Sequence, residues 1–218
     1  MKVVLLAHVA PDAATAPVGL AHTLHGPSSA TTLRRRGREL LLTDGPFAES
    51  DEPVVGLEEI DVDGFDAALS LAAGLPAART GAVEVRRVHV GPDDGVPPAT
   101  PAAGTRRYVF LHVLPTEPAA EPTAPGGGSL PDWLASPLTR RTVLAGNRLL
   151  DATADTAAMV RVRGGEVLVS PGLPDDREEE IAGYDLVAAG DLDEAIAVAR
   201  PHPTLTNGVV EIRPLVMA

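Results

Sequence analysis

The chain is 218 residues long and carries 30 acidic against 18 basic side chains, a formal net charge of −12. That balance argues against a nucleic-acid surface, which needs clustered Lys and Arg, and the absence of cysteine excludes disulfides, thiolate chemistry and Cys-ligated zinc. No apolar run approaches the roughly 18 residues of a membrane span, and the N-terminal MKVVLLAHV is too short for a signal peptide; the expectation is a soluble cytoplasmic protein with no membrane partner.

Val3 to Val9 is a continuous apolar run containing one His, and predicts a strand. Residues 10–28 read as irregular. Thr31 to Arg36 and Glu39 to Thr43 flank Gly37-Arg38 and predict a β-hairpin. Asp44-Gly45-Pro46 ends it with turn chemistry. Val54 to Val62 predicts a third extended segment. Asp63 is expected to cap a helix to Ala73, stopped by Gly74 and Pro76, and Ala82 to Val90 a closing strand. Residues 91–105, GPDDGVPPATPAAGT, read as a linker. Arg106 to Leu114 predicts a strand, 115–129 a flexible insert, and Leu130 to Leu150 a segment helical in parts, capped by Ser129 and broken at Pro137. A hairpin around Gly164-Gly165, a strand from Ile181 to Val187, a helix from Asp191 to Arg200 and a strand from Val209 to Val216 complete the chain.

The second half repeats the first. Residues 33–88 recur at 160–215 without a gap, and sixteen of these 56 positions are identical, among them Arg34/Arg161, Gly56/Gly183, Glu84/Glu211 and Arg86/Arg213. The domains read as 1–90 and 106–218. Each has the order of an α+β ferredoxin-like domain with an added hairpin. Two copies in one chain suggest an internal pseudo-dimer of the α+β barrel type, sheet against sheet, with further homo-oligomerisation open. The first strands align through His8 and His112 at an offset of 104, so copy one lacks 23 residues where the first helix belongs.

The run Thr43-Asp44-Gly45-Pro46-Phe47-Ala48-Glu49, after a Leu-rich strand and an Arg-Gly-Arg turn, resembles the DGPF signature of the YCII-related proteins. Gly81 to Arg86 and Gly208 to Pro214 are similar to that family's closing strand, G-x-V-E-V-R-P. The resemblance covers residues 1–90 and about 106–216. It implies a dimeric α+β barrel, lyase- or dehalogenase-like activity in some members, and a His–Asp pair as active centre. Asp44 matches the family's aspartate. The family's helical His has no counterpart, and copy two has Pro171 where Asp44 stands.

The candidate catalytic residues are therefore Asp44, His8 and His22, the last in the shortened loop with His25. Asp44 is either a site carboxylate or a turn residue. His8 and His112 are read as equivalent, two imidazoles entering one interior. Phe47, His112 and the i, i+2 pairs Glu84/Arg86 and Glu211/Arg213 are candidate ligand contacts, or structural ion pairs. His89 and His202 show no partner pattern. No zinc spacing, P-loop or G-x-G-x-x-G appears, so neither metal nor cofactor is expected. The functional expectation is a small metabolite bound between the two sheets, with lyase- or isomerase-type chemistry on the copy-one side. The alternative is a degenerate, non-catalytic binding or accessory protein.

Overall fold

Side-chain alternation decides which face of each strand is buried, and it sorts this chain into two antiparallel sheets. The structure is a computed structural model and describes residues 1–10, 18–48, 50–91, 99–117, 129–174 and 177–216. Most of the predicted linker (92–98), most of the predicted insert (118–128), Glu49 and the 175–176 pair lie outside the described residues. The strands are β1 (Lys2–Val9), β2 (His22–Thr23), β3 (Thr31–Arg36), β4 (Glu39–Asp44), β5 (Val54–Asp61), β6 (Gly81–Arg87), β7 (Arg106–Pro115), β8 (Val143–Arg148), β9 (Ala157–Arg163), β10 (Glu166–Pro171), β11 (Glu179–Ala189) and β12 (Val209–Pro214). The helices are α1 (Phe65–Gly74), α2 (Pro76–Thr80), α3 (Leu130–Ala135), α4 (Pro137–Thr142) and α5 (Leu192–Ala199). None is long and apolar enough to cross a membrane among the described residues.

One six-stranded sheet runs β10-β9-β6-β1-β5-β2 and the other β4-β3-β12-β7-β11-β8, with antiparallel pairing throughout. The compact units do not follow the predicted domains 1–90 and 106–218. Unit 1 is Met1–Gly26, Ala48–His89 and Leu149–Asp176; unit 2 is Pro27–Phe47, Val90–Arg148 and Arg177–Ala218. The hairpins have exchanged. The copy-one hairpin β3–β4 pairs with β12 of copy two, and the copy-two hairpin β9–β10 pairs with β6 of copy one. The repeat explains why this is permitted. The two hairpins share Arg34/Arg161, Arg36/Arg163, Glu39/Glu166 and Leu41/Leu168, so either sheet accepts either hairpin at little cost. Both turn through glycine at positive φ, Gly37 at 56° and Gly164 at 60°, which a side chain would strain.

In unit 1 the odd residues of β1, Val3, Leu5, Ala7 and Val9, pack with Val83, Val85 and Val160 beneath Ala68 and Ala72 of α1 and Ala77 and Ala78 of α2. In unit 2, Tyr108 and Phe110 of β7 pack with Leu33, Val187, Val210 and Ile212 beneath Trp133 of α3 and Ala195, Val198 and Ala199 of α5. Each such Val, Leu or Phe contributes roughly 1.5–3 kcal/mol on burial.

Three expectations are corrected. Asp63 does not cap α1; Gly64 is the cap and offers no side-chain bond. Residues 143–148 form a strand rather than a continued helix, because their partner edge on β11 is there to be filled. His8 and His112 are not equivalent. Ala7 pairs with Gly56 and with Val83, whereas His112 pairs with Gly183 and Val210, the repeat partners of Gly56 and Val83. The first strands therefore align at an offset of 105: Ala7 is the counterpart of His112. The two imidazoles lie on opposite faces of their sheets, His112 on the helix-covered face and His8 on the other.

The exchange is checked by cross-linking, since the chain has no cysteine of its own. Val85 and Ala158 are register partners on β6 and β9. Val85→Cys with Ala158→Cys should oxidise to an intramolecular disulfide. Val85→Cys with Thr31→Cys, the site that a hairpin retained in its own copy would present, should stay reduced. The reverse pattern on non-reducing electrophoresis would refute the exchange.

Candidate functional site

The helix-covered face of the unit 2 sheet carries the constellation with chemistry. His112 of β7 and Asp185 of β11 lie on neighbouring strands, diagonal across the register in which Gly183 faces His112 and Asp185 faces Phe110. His112 Nε2–H donates to Asp185 Oδ2 at 2.8 Å, and both residues are buried. A carboxylate that deep needs donors. Two glycines make room for the pair. Opposite Asp185 on β8 is Gly146, where a Cβ would stand 2.0 Å from Asp185 Oδ1. A Cβ on Gly183 would stand 2.8 Å from His112 Nδ1 and 2.9 Å from the Asn147 carbonyl oxygen. The strand bulges at Ala182, between Ile181 and Gly183, as strands often do beside functional groups.

His202 completes the cluster. It follows α5 and caps the turn Pro203–Thr206, with Nδ1 accepting the Thr204 N–H at 3.2 Å. The proton of the neutral ring must then sit on Nε2. That atom is 3.6 Å from Asp185 Oδ2, is buried, and has no hydrogen-bond partner among the described residues. The ring stacks on His112 at 4.2 Å between centroids and meets the edge of Trp133 at 4.5 Å. Trp133 is held in turn by Nε1–H donating to Val198 O, and its helix by a Ser129–Asp132 capping box. Burial first, and the charge of His112 second, hold the His202 pKa well below the ordinary 6.5.

These groups line a cavity of about 330 Å³ built within unit 2. Leu114, Leu130, Leu134 and Ala182 give it apolar walls; Asn147, Arg148, Thr204 and Asn207 give it polar ones. His112 Nδ1 has no hydrogen bond among the described residues, and His112 lines the cavity. An imidazole with one N–H on a carboxylate and a lone pair toward a cavity is the arrangement of a general base.

Two His and one Asp within 4.8 Å of one another also resemble a metal site. The donors do not fit one. A metal would need the Nε2 lone pair of His202, but the Thr204 N–H on Nδ1 assigns that nitrogen a proton. Metal-bound imidazoles ordinarily donate through their second nitrogen; here one accepts and the other is unbonded.

The predicted catalytic trio is not brought together within either unit. Asp44 is exposed at the end of β4 in unit 2, register partner of Thr31. His8 is buried in unit 1, with Nε2 2.9 Å from Glu84 Oε2 and Nδ1 3.3 Å from the Glu52 carbonyl oxygen. Both nitrogens face acceptor oxygens of the protein. His22 is half-buried on the edge strand β2 beside Leu57. The i, i+2 pairs form buried ion pairs. Arg86 Nη1–H donates to Glu84 Oε1 at 3.1 Å, and Arg213 Nε–H to Glu211 Oε1 at 2.9 Å. Phe47 contributes its backbone N–H to Glu211 Oε2 at 2.9 Å. Pro174 holds the equivalent place in the other copy and has no N–H; there Glu84 takes His8 instead. Of the predicted site residues, only His112 lines the described cavity.

Asp185, His202, Asn147 and Arg148 were not anticipated. A signal existed in the repeat: Asp185 stands where copy one has Glu58, and His202 where it has Leu75. In unit 1 the positions equivalent to His112, Ala182 and His202 are Ala7, Val55 and Leu75. The space over Gly56 is occupied by Val18, whose Cγ1 lies 2.5 Å from where a Cβ on that glycine would stand. Hydrocarbon in unit 1 takes the places of His112 and His202, while Glu58 keeps a carboxylate at the place of Asp185.

No family model matches the chain. A 61-residue segment is 43% identical to an uncharacterized protein, R00369, of Rhizobium meliloti (strain 1021). The match covers 27% of this chain and 49% of that protein, so the chain spans about half the length of the curated relative it matches.

The depressed His202 pKa predicts a pH dependence of stability. Below pH 6.5 the unfolded chain protonates this His while the folded chain does not, so folding stability falls as pH drops. The slope is up to about 1.4 kcal/mol per pH unit for one such group. Urea unfolding between pH 7.5 and 5 should show it, and His202→Gln, whose amide oxygen can accept the Thr204 N–H, should flatten it. An unchanged slope in the variant would assign the dependence elsewhere.

Proposed function

We propose that this chain is a tandem YCII-related protein, two ferredoxin-like halves fused as an internal pseudo-dimer, that binds a small metabolite and moves a proton on it with the His112–Asp185 pair. The carrying observation is the 2.8 Å bond between two buried side chains whose free nitrogen, Nδ1, opens on a cavity of metabolite size. The family resemblance implied a His–Asp centre. The pair that supports it here is not the Asp44 with His8 or His22 read from the DGPF motif.

The chemistry follows from the tautomers. His112 Nδ1 takes a proton from substrate. The imidazolium that results keeps its Nε2–H on the Asp185 carboxylate, which stabilises the new positive charge. His202 stays neutral, so it does not compete for the proton. Returning that proton to a second substrate atom is an isomerisation; losing a leaving group from the carbanion instead is an elimination. Both fit a lyase- or isomerase-type activity, and neither needs a cofactor. The degenerate reading, a binding protein without turnover, is supported for the copy-one residues: His8 is locked between acceptors, and Ala7 and Leu75 replace the imidazoles.

Incubation with a metabolite extract in D2O tests this without knowledge of the substrate. One compound should gain deuterium at a single position. The rate should fall by about 10²–10⁴ in Asp185→Asn and in His112→Gln, while Asp44→Asn and His8→Gln keep it. Binding of an extract component without any labelling would favour the accessory reading; labelling that survives both dyad variants would refute the dyad.

A further inference from the structure

The cavity wall is mainly hydrocarbon, from Leu114 of β7, Leu130 and Leu134 of α3, and Pro203. Among the described residues, the carboxylate and the guanidinium in its lining are Asp185 and Arg148, and both are engaged within the protein. His112 Nε2–H donates to Asp185 Oδ2 at 2.8 Å, and Arg148 has a partner of its own. A ligand charge of either sign would therefore enter without a free counter-charge to meet it. Burying an unpaired ion costs far more than burying a hydroxyl that finds a partner. The polar atoms left to a ligand are uncharged. His112 Nδ1 bears no hydrogen bond among the described residues, and it accepts, because the ring proton sits on Nε2. Thr204 bonds only through its backbone N–H and C=O, and Asn207 only through its N–H, so a neutral hydroxyl and a neutral amide also stay open among the described residues.

We infer that the cavity takes small uncharged ligands with a largely hydrocarbon body and one O–H of the enol or phenol kind, donated to His112 Nδ1. The inference rests on the proposed reading of the site and adds the class of substrate. An enol suits the base. Its O–H bond breaks as the proton passes to Nδ1, and the electron pair left on oxygen forms the C=O double bond. The C=C electron pair then takes the proton back from Nδ1 to form a C–H bond. The product is the keto tautomer, with the same atoms and no redox change. At long range a chain of net charge −12 repels anions, which also favours a neutral substrate over a carboxylate.

Phenol, anisole, benzoate and benzylamine share a ring, differ in head group and test the inference. Each is titrated at about pH 8, where phenol keeps its proton, against the whole chain labelled with 15N-histidine. Ligand-observed NMR reads affinity, and the 15N resonance of His112 Nδ1 reads contact with the base. Phenol should bind about three- to tenfold more tightly than anisole, the worth of one net hydrogen bond. It should bind at least about tenfold more tightly than either ion. Phenol should also move the Nδ1 resonance upfield, as an accepted hydrogen bond does, and anisole should not. Tightest binding by benzoate or benzylamine, with Nδ1 responding to it, would overturn the inference and leave the dyad standing. Equal binding of phenol and anisole would do the same. Phenol binding that leaves Nδ1 unmoved, or no binding by any probe, would overturn the inference and count against the proposed base as well.

Discussion

A buried carboxylate, Asp185, is the constraint on which the rest of unit 2 depends. An ionised side chain at that depth costs several kcal/mol unless donors surround it. The fold meets this with specific choices on four elements. β7 supplies the His112 Nε2–H; β8 supplies a glycine at 146, without which Oδ1 would collide with a side chain; β11 bulges at Ala182; and the turn after α5 sets His202 beside the same oxygen that His112 engages. Removing Asp185 would leave the His112 Nε2–H buried without its acceptor. Removing His112 would leave the carboxylate with one weak contact at 3.6 Å. The pair is held as a unit, which is what a proton-transfer site requires of its scaffold.

The contrast between copies gives this physical reading its strength. Both units keep a Glu and an Arg two apart on the last strand, buried on the face away from the helices. In unit 2 the Phe47 N–H satisfies one oxygen of Glu211. In unit 1 proline replaces that donor, and His8 supplies the bond to Glu84. The 44–47 loop thus serves a buried ion pair, through the backbone of Phe47, while Asp44 faces solvent.

Much of the fold was legible because it is local. The hairpins at Gly37 and Gly164, the Ser129 cap, the break at Pro137 and the start of α5 at Asp191 follow local turn and cap chemistry, and all appear where those residues stand. Strand partners are not local. The repeat shows two equal hairpins and two equal sheets, and only tertiary pairing says that each hairpin serves the other copy's sheet. The site was hidden for the same reason. Matching His8 to His112 gives an offset of 104; the register requires 105, and in a strand one residue moves a side chain to the opposite face. His202 shows no pattern in the sequence because its partners, Asp185 and Trp133, are distant along the chain and meet it only once α3 and α5 pack on the sheet.

The central claim is a statement about where protons sit on two imidazoles, and it is measured directly by long-range 1H–15N correlation spectra of histidine-labelled protein at pH 8. The account predicts that His112 and His202 are both the Nε2–H tautomer, with unprotonated Nδ1. It also predicts that on acidification His202 keeps a single ring proton well below pH 6.5. A proton on Nδ1 of His112 at pH 8 would close the lone pair on which the proposed chemistry depends, and would contradict the account.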